Sequence, residues 1–241
     1  MAPAILAVEA VSRSFGALKA VDAVSFAVAE GETLGILGPN GAGKTTLFNL
    51  VSGQLRPDAG RIEFRGRDVV PDPPHRRCRM GMGRAYQIPK PFGAMTVFEN
   101  LVTAAAFAGQ RREKETYGDA VEILRQTGLL AKANRRAGGL GLLDRKRLEL
   151  ARALATRPRL LLLDEIASGL TEHEARELVA ELRRIKASGV TMLWIEHVVH
   201  ALFAVADRLL VLNAGRKLAE GEPSQVLADP EVQRVYLGPP A

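Results

Sequence analysis

The residues best suited to chemistry lie in a glycine-rich stretch, "GPNGAGKT", at positions 38–45. It fits the pattern G-x-x-x-x-G-K-[ST], in which backbone N–H groups form a nest around phosphate oxygens. Lys44 can place its charge on the β- and γ-phosphates, and the hydroxyl of Thr45 can ligate Mg²⁺. We therefore predict a nucleotide site formed by Gly38, Pro39, Asn40, Gly41, Ala42, Gly43, Lys44, Thr45 and Thr46.

Two adjacent carboxylates, Asp164 and Glu165, end an apolar run at 159–165 that is typical of a buried strand. At this position Asp164 can orient Mg²⁺ through its water shell. Glu165 points to the opposite face of the strand, from which a carboxylate can polarise an attacking water. The alternative is an acidic pair on the surface at a strand end; the phosphate loop upstream favours the metal and catalytic roles.

Three further residues carry little information singly. Phe15, in "SRSFGALKAV", is compatible with core packing or with stacking on a base. Gln87, in "GRAYQIPKPF", and His197, after "TMLWIE", are equally compatible with structural roles. Their significance depends on their order relative to the phosphate loop and the carboxylates.

The elements predicted around the phosphate loop alternate between strands and helices. The residues after the loop have helical spacing up to a glycine stop at Gly53. Prolines between 71 and 91 indicate turns and loops. The strands predicted in this part are 24–28, 33–38 and, as a strand or hairpin, 61–70.

From Thr96 onward the pattern becomes helical. Thr96 and Glu99 have the spacing of a capping box, and two more amphipathic segments follow before Pro158. The run at 159–165, a capped helix, a strand, a helix and a hairpin around Asn213–Gly215 complete the chain. The outline is an α/β nucleotide-binding core interrupted by a helical insertion at 90–155.

The composition restricts the class of protein. With 47% apolar and 25% charged residues, the chain has the balance of a soluble globular protein, and no uncharged apolar run approaches the ~18 residues of a membrane span. The N-terminus lacks a secretory signal pattern, so we expect a cytosolic chain unless a partner takes it to a membrane. The single cysteine, Cys78, excludes an intramolecular disulfide. The net charge of +6 suits an anionic ligand, nucleic acid or an anionic membrane without deciding among them.

Taken in order, these features resemble the ATP-binding subunit of an ATP-binding-cassette (ABC) transporter over essentially the whole chain. The order is Phe15, the phosphate loop, Gln87, a basic helix, the strand ending in Asp-Glu, "SGLT" at 168–171, and His197. The strings "GMGRAYQ", "MTVFENL", "LWIEHVV" and "DPEVQRVYLG" are similar to the branched-chain amino-acid class of importers, although the lipopolysaccharide-export ATPase shares a similar C-terminal end.

The resemblance implies an ABC ATPase fold: a P-loop NTPase core, an antiparallel β subdomain and an inserted helical subdomain. It places the core and β subdomain at 1–89 and 156–241 and the helical subdomain at 90–155 of a single domain, 1–241. It also implies ATP and Mg²⁺ as ligands, with Phe15 stacked on adenine and Gln87 sensing the γ-phosphate and Mg²⁺. The implied catalytic residues are Lys44, Gln87, Glu165 and His197, and the implied metal residues are Thr45, Gln87 and Asp164.

Two departures from the family pattern accompany the resemblance. Before the basic helix the family has Leu-Ser-Gly-Gly-Gln or a close variant, which contacts the ATP held by the other subunit. Residues 140–144 read Leu-Gly-Leu-Leu-Asp instead, and Ile166 stands where proline normally follows the catalytic glutamate. We call residues 140–144 the altered signature.

The altered signature is expected to keep a weakened contact with the nucleotide. Backbone N–H groups at the start of the following helix, with Gly141, can still donate to a phosphate because that donation needs no side chain. Asp144 would repel a triphosphate unless Arg145 or Arg147 offsets its charge.

The function implied is an ATP-hydrolysing subunit of an importer for branched-chain amino acids or related small polar, amide or aromatic solutes. Its partners would be transmembrane permease subunits, a second ATPase subunit in a homo- or heterodimer, and, indirectly, a periplasmic or extracellular solute-binding protein. It would lie at the cytoplasmic face of the inner or plasma membrane and bind no nucleic acid. The alternatives are a nucleic-acid-associated ABC ATPase and a weakly hydrolysing regulatory cassette.

Overall fold

The computed structural model describes residues 4–109 and 111–237. Its strands are β1 (Ala4–Phe15), β2 (Leu18–Ala29), β3 (Thr33–Leu37), β4 (Ala59–Phe64), β5 (Arg67–Asp68), β6 (Met82–Ala85), β7 (Leu160–Asp164), β8 (Thr191–Ile195), β9 (Arg208–Asn213) and β10 (Arg216–Gly221). Its α-helices are α1 (Lys44–Val51), α2 (Pro74–Arg79), α3 (Val97–Gly109), α4 (Tyr117–Gln126), α5 (Leu142–Ala155), α6 (Glu172–Ala187), α7 (Val199–Phe203), α8 (Pro223–Ala228) and α9 (Pro230–Leu237).

The strands form two sheets. One is antiparallel, in the order β2-β1-β4-β5. The other has the order β10-β9-β3-β8-β7-β6, in which β9 to β6 run parallel and β10 pairs antiparallel with β9. The predicted α/β core with an antiparallel β subdomain is confirmed.

The apolar strand β7 shows how the second sheet is buried. Successive side chains of a strand point to opposite faces, so a strand covered on both faces is apolar throughout. Leu160 and Leu162 face a core that contains Phe48 of α1 and the antiparallel sheet. Leu161 and Leu163 face the core on the other side, formed with α6 to α9. The sheet is therefore sandwiched between two layers.

The helical part has an apolar cluster of its own. Val97 and Leu101 of α3, Leu124 of α4 and Leu148 of α5 are fully buried together. The helices predicted for this part are confirmed, including the capping box in which the Thr96 N–H donates to Glu99 and the Glu99 N–H donates to Thr96. The subdomain boundaries at 90 and 155 stay a prediction.

The expectation of turns and loops between 71 and 91 was wrong in part. Pro74 occupies the first turn of α2, where a missing N–H costs nothing because no partner exists for it. Strand β6 was also missed, since its four residues become a strand only by pairing with β7. Helices α8 and α9 were not predicted.

Met1–Pro3 and Gly238 of "DPEVQRVYLG" lie outside the described residues.

A buried arginine closes the C-terminal end of α1. The Arg77 guanidinium donates to the carbonyls of Leu50 at 2.7 Å, Val51 at 2.6 Å and Asp72 at 2.9 Å. Burial lowers the pKa of Arg77 to about 10, so it remains charged at neutral pH. Arg77 thus satisfies carbonyls that have no partner within the helix.

In the part of the chain that the structure describes, no helix has both the length and the apolar character to cross a membrane.

The N-terminus of α6 supplies a stability prediction. Thr171 accepts the Glu174 N–H at 3.3 Å, and the Glu174 carboxylate accepts the Thr171 N–H at 2.8 Å. Thr171→Ala is expected to lower the free energy of unfolding by about 0.5–2 kcal/mol, because the Glu174 N–H loses its acceptor and the hydroxyl that donates to the Glu174 carboxylate is removed. Urea denaturation followed by circular dichroism measures it, with Thr171→Ser as the control. Equal midpoints for the two variants would contradict the prediction.

Candidate nucleotide-binding site

The predicted site residues meet at one edge of the parallel sheet. The phosphate loop follows β3, His197 lies two residues after β8, Asp164 ends β7, and Gln87 lies two residues after β6. These strands are neighbours in the order β3-β8-β7-β6 and run in the same direction, so their carboxyl ends share an edge. Ligands of open α/β sheets bind at this edge.

Close backbone approaches explain two glycines of the phosphate loop. A Cβ at Gly43, where φ is +97°, would lie 2.2 Å from the Ala20 carbonyl oxygen. A Cβ at Gly38 would lie 2.5 Å from the Leu212 carbonyl oxygen. Any larger residue would displace the loop from β2 or β9. The loop is therefore held against both sheets of the core.

Lys44, the first residue of α1, is folded back into the phosphate loop. Its side chain is buried, and Nζ donates to the carbonyls of Gly38 at 2.6 Å and Pro39 at 3.0 Å. Burial lowers the pKa of Lys44, and the nearby Glu165 charge opposes that shift. The ammonium is thus already placed inside the loop that would surround the phosphates.

A cavity of about 390 Å³ lies beside the loop. Phe15 is 46% exposed there, so it is not the core residue that the alternative interpretation required. The Arg13 guanidinium lies 5.1 Å from the centroid of the Phe15 ring. The cavity is lined by Phe15, Leu18, Lys19, Ala20, Asn40, Gly41, Ala42, Gly43, Lys44, Thr45, Thr46, Glu165 and Ala214. An aromatic ring and a phosphate loop therefore border the same space.

Gln87 and His197 both approach the Glu165 carboxylate. Gln87 Nε2 donates to Glu165 Oε2 at 2.6 Å, and His197 Nδ1 lies 3.8 Å from the same oxygen. Glu165 has a φ of +43°, which side-chain-bearing residues adopt at a cost of about 1–3 kcal/mol. Its N–H donates to the Ile195 carbonyl at 2.9 Å, which ties the strained residue to β8. Three predicted catalytic side chains therefore meet at one point.

Arg84 of β6 is a site residue that the sequence interpretation missed. Its guanidinium donates to Asp164 Oδ2 at 2.5 Å and to Asn49 and Ser52 of the α1 region at 2.8 Å each. The Arg84 and Asp164 side chains are both 8% exposed. A charged residue in a short apolar segment requires a partner. This requirement is the sequence feature from which an ion pair of Arg84 could have been predicted.

Thr45 and Asp164 offer oxygen donors suited to the predicted metal. Thr45 is exposed at the start of α1, and Asp164 keeps its second oxygen outside the Arg84 contact. Mg²⁺ binds oxygen donors, usually one or two carboxylates together with phosphates and waters, so Thr45 and Asp164 fit it. The Gln87 amide is engaged with Glu165. Within residues 4–109 and 111–237, no group of three or more His, Cys, Asp or Glu forms a metal cluster.

The altered signature forms the start of α5, with Gly141 as the N-cap residue. Asp144 is paired mainly with Lys132 at 2.5 Å, whereas Arg147 lies 4.0 Å away. Of the two arginines expected to offset the Asp144 charge, Arg147 lies within ion-pair distance, whereas Arg145 donates to the Gly138 carbonyl at 3.0 Å. Gly141 does not line the cavity at the phosphate loop of its own chain.

Comparison with known families identifies a match that includes the residues of this site. The family model described as "ABC transporter" matches residues 21–168, which include the phosphate loop, Gln87, Asp164 and Glu165. The chain belongs to the ABC transporter ATP-binding family. A second model, described as "Branched-chain amino acid ATP-binding cassette transporter", matches residues 216–238 of this cassette.

Relatives of known sequence match the cassette over almost its whole length. The high-affinity branched-chain amino acid transport ATP-binding protein LivG of Salmonella typhimurium is 39% identical, with 99% of both chains covered. BraF of Pseudomonas aeruginosa, which has the same descriptive name, is 37% identical with 99% of both chains covered. A probable LivG of Methanocaldococcus jannaschii is 34% identical, with 97% of both covered.

Solved structures agree with this assignment. The ADP conformation of an ATP-binding cassette of an ABC transporter superposes with a TM-score of 0.89 and 33% identity, covering 98% of this chain and 100% of the other. A nucleotide-free ATP-binding cassette from an ABC transporter gives a TM-score of 0.87 at 33% identity, with the same coverage. The predicted ABC ATPase fold is therefore confirmed.

Proposed function

We propose that this cassette hydrolyses ATP to power an importer of branched-chain amino acids. The observation that carries the proposal is the convergence of Gln87 and His197 on Glu165, beside a phosphate loop that already holds Lys44. The LivG and BraF relatives are named for branched-chain amino acid transport, and the C-terminal family match supports the same class of solute.

Each residue of the site has a distinct role in the proposed hydrolysis of ATP. The loop amides and Lys44 bind the β- and γ-phosphates, and the positive charge of Lys44 offsets charge that develops on transfer. Glu165 accepts a hydrogen bond from the attacking water and orients it. His197 and Gln87 contact the γ-phosphate end of the site, and Phe15 stacks on adenine. Thr45 and Asp164 would hold Mg²⁺, which would supply charge neutralisation when bound.

An exposed apolar patch beside the catalytic residues supports the proposed membrane partners. Tyr86, Ile88, Phe92 and Met95 are 38–68% exposed, and we call them the apolar patch. A cavity of about 470 Å³ next to it is lined in part by Tyr86, Ile88 and Lys90. Exposed apolar side chains grouped in this way mark interaction sites, and Tyr86 and Ile88 flank Gln87 in the sequence. We propose that the cytoplasmic segments of transmembrane permease subunits dock here, with the second ATPase subunit completing the assembly.

The docking proposal predicts the effect of a charge in the apolar patch. Ile88→Glu is expected to abolish copurification of permease subunits from detergent-solubilised membranes, because a carboxylate buried in an apolar contact loses its hydration. ATP binding by the isolated chain should stay unchanged. Phe203→Glu is the matched control, since Phe203 is 52% exposed and belongs to α7, which follows β8 and not β6. Undiminished copurification of permeases with Ile88→Glu would contradict the docking site.

The nucleic-acid alternative makes a different prediction for the same purified chain. A nucleic-acid-associated ATPase neutralises phosphates with basic residues, so its affinity falls steeply with salt. We expect feeble DNA and RNA binding at physiological salt and no stimulation of ATP hydrolysis. Tight, salt-steep binding that stimulates turnover would replace the transport proposal.

A further inference from the structure

Lys146 of α5 is a buried charged residue that contacts two loops of the nucleotide-binding site. Its side chain is 3% exposed, although it lies between Arg145 and Arg147, which both reach polar partners elsewhere. Lys146 Nζ donates to the Gln87 carbonyl at 2.6 Å and lies 3.3 Å from the Glu165 carbonyl. A single ammonium therefore contacts the backbones of two proposed catalytic residues whose side chains also meet each other.

The surroundings of Lys146 explain how its charge is accommodated. Burial lowers the pKa of Lys146, and nearby carboxylates oppose the shift, in the order Glu196, Glu165, Asp164 and Glu149. Glu196 is itself fully buried and accepts the Ala167 N–H at 2.8 Å. The ammonium is thus enclosed by acidic groups and carbonyl oxygens, which is the arrangement that a buried cation requires.

Because Lys146 lies on α5, its contacts connect that helix to the two loops that carry Gln87 and Glu165. Residues 142–144 of the altered signature lie in the first turn of α5, and Lys146 is two residues beyond Asp144. Gln87 and Glu165 belong to loops after β6 and β7, which are separated in the sequence by α3, α4 and α5. Lys146 Nζ joins both loops to the helix that carries the signature, so a shift of α5 acts on both carbonyls together.

Resting on the function proposed above, we propose that Lys146 is a positioning residue for ATP hydrolysis. It fixes the backbones of Gln87 and Glu165 relative to α5. The catalytic carboxylate is therefore correctly placed only when the N-terminal end of α5, which carries the altered signature, is also correctly placed. Lys146 does not touch the nucleotide in this role. Its removal should therefore reduce the rate of the chemical step and leave ATP binding intact.

The test compares Lys146→Met with Lys146→Arg and with a matched control. Methionine preserves the length of the apolar stem, whereas arginine preserves the charge and several donors. Lys186→Met is the control, because Lys186 Nζ also donates to a backbone carbonyl, that of Val205 at 2.7 Å, outside the site. If methionine prevents folding, Lys146→Gln is the second neutral variant, since it retains two N–H donors on a shorter stem.

Three measurements separate positioning from general damage. We expect Lys146→Met to lower kcat by about 10–100-fold, as loss of a supporting contact typically does, with the ATP dissociation constant within about twofold of the parent value. Lys146→Arg should recover part of kcat, and Lys186→Met should leave it unchanged. Hydrogen–deuterium exchange of the nucleotide-free chain should rise in the segments around 87 and 165 for Lys146→Met alone.

The outcomes are distinguishable. An unchanged kcat, a parallel loss of ATP affinity, or unchanged exchange in both loops would overturn the role of Lys146. A parent chain that hydrolyses no ATP, alone or with permeases, would overturn the proposed function instead. The exchange measurement would then still decide whether Lys146 holds the two loops, because it needs no turnover.

Discussion

Glu165→Gln is expected to lower ATP turnover by about 10²–10⁴-fold, the range associated with a general base. Glutamine has the shape of glutamate and keeps an oxygen that can accept the Gln87 amide, so the local geometry should persist. It lacks the charge that orients and polarises the attacking water. The loss should therefore fall on kcat, while ATP affinity stays near the parent value or rises slightly, because a negative charge near the phosphates is removed.

Phosphate release measures turnover of this variant, and a fluorescent ATP analogue measures its affinity. Glu231→Gln is the matched control, since Glu231 of α9 is 62% exposed and pairs only with Arg234 in the described ion pairs. The control should hydrolyse ATP at the parent rate. If Glu165→Gln also hydrolyses at that rate, another group orients the water and the assignment of Glu165 is wrong.

Restoring the family signature is expected to raise basal turnover. Gly141→Ser combined with Leu143→Gly returns a hydroxyl and a close backbone approach to the start of α5. A hydrogen bond to a charged group is worth about 1.5–3 kcal/mol, which corresponds to a factor of about 10–200. Gly141 has open space around the position of a Cβ and an ordinary φ of −69°, so serine fits there. The gain requires a second ATPase subunit, because the proposed contact of the altered signature is with the ATP held by the other protomer.

The controls separate the nucleotide contact from the stability of α5. Leu143→Gly introduces glycine into a helix, at a cost of about 1 kcal/mol relative to alanine. Gly141→Ser with Leu143→Ala avoids that cost but does not allow the close approach, so it should recover only the hydroxyl contribution. If the parent chain already turns over rapidly and the restored signature slows it, residues 140–144 are a different working solution. Lys132 and Asp144, joined at 2.5 Å, would then be part of it.

Local patterns allowed much of the site to be predicted from the sequence. The phosphate loop, the strand before it and the helix after it are adjacent in the chain, so spacing alone identifies them. The apolar strand β7 and its terminal carboxylates are recognisable for the same reason. The convergence of Gln87 and His197 on Glu165 could be predicted only from the family resemblance. The sheet order that places β6, β7 and β8 side by side cannot be deduced from the local pattern of any one segment.

The contacts that sequence reasoning missed join residues far apart in the chain. Arg84 and Asp164 pair across 80 positions, and Lys146 reaches Gln87 across 59. Strand β6 is a strand because β7 lies beside it, not because "MGRA" favours one. Prolines at 73 and 74 suggested a turn, although proline is equally suited to the first turn of a helix, as in α2. Tertiary contacts decided each case.

The pairing of β3 has a consequence for biosynthesis. This strand leads into the phosphate loop, yet its two neighbours in the sheet are β8 and β9, which lie between residues 191 and 213. A growing chain presents β3 with both edges unpaired until those residues have left the ribosome, at about 5–20 residues per second. A fragment that ends before residue 190 contains the phosphate loop, Asp164 and Glu165 but lacks both strands that hold β3 in place. We therefore expect nucleotide binding to be acquired only after residues 191–213 have been made.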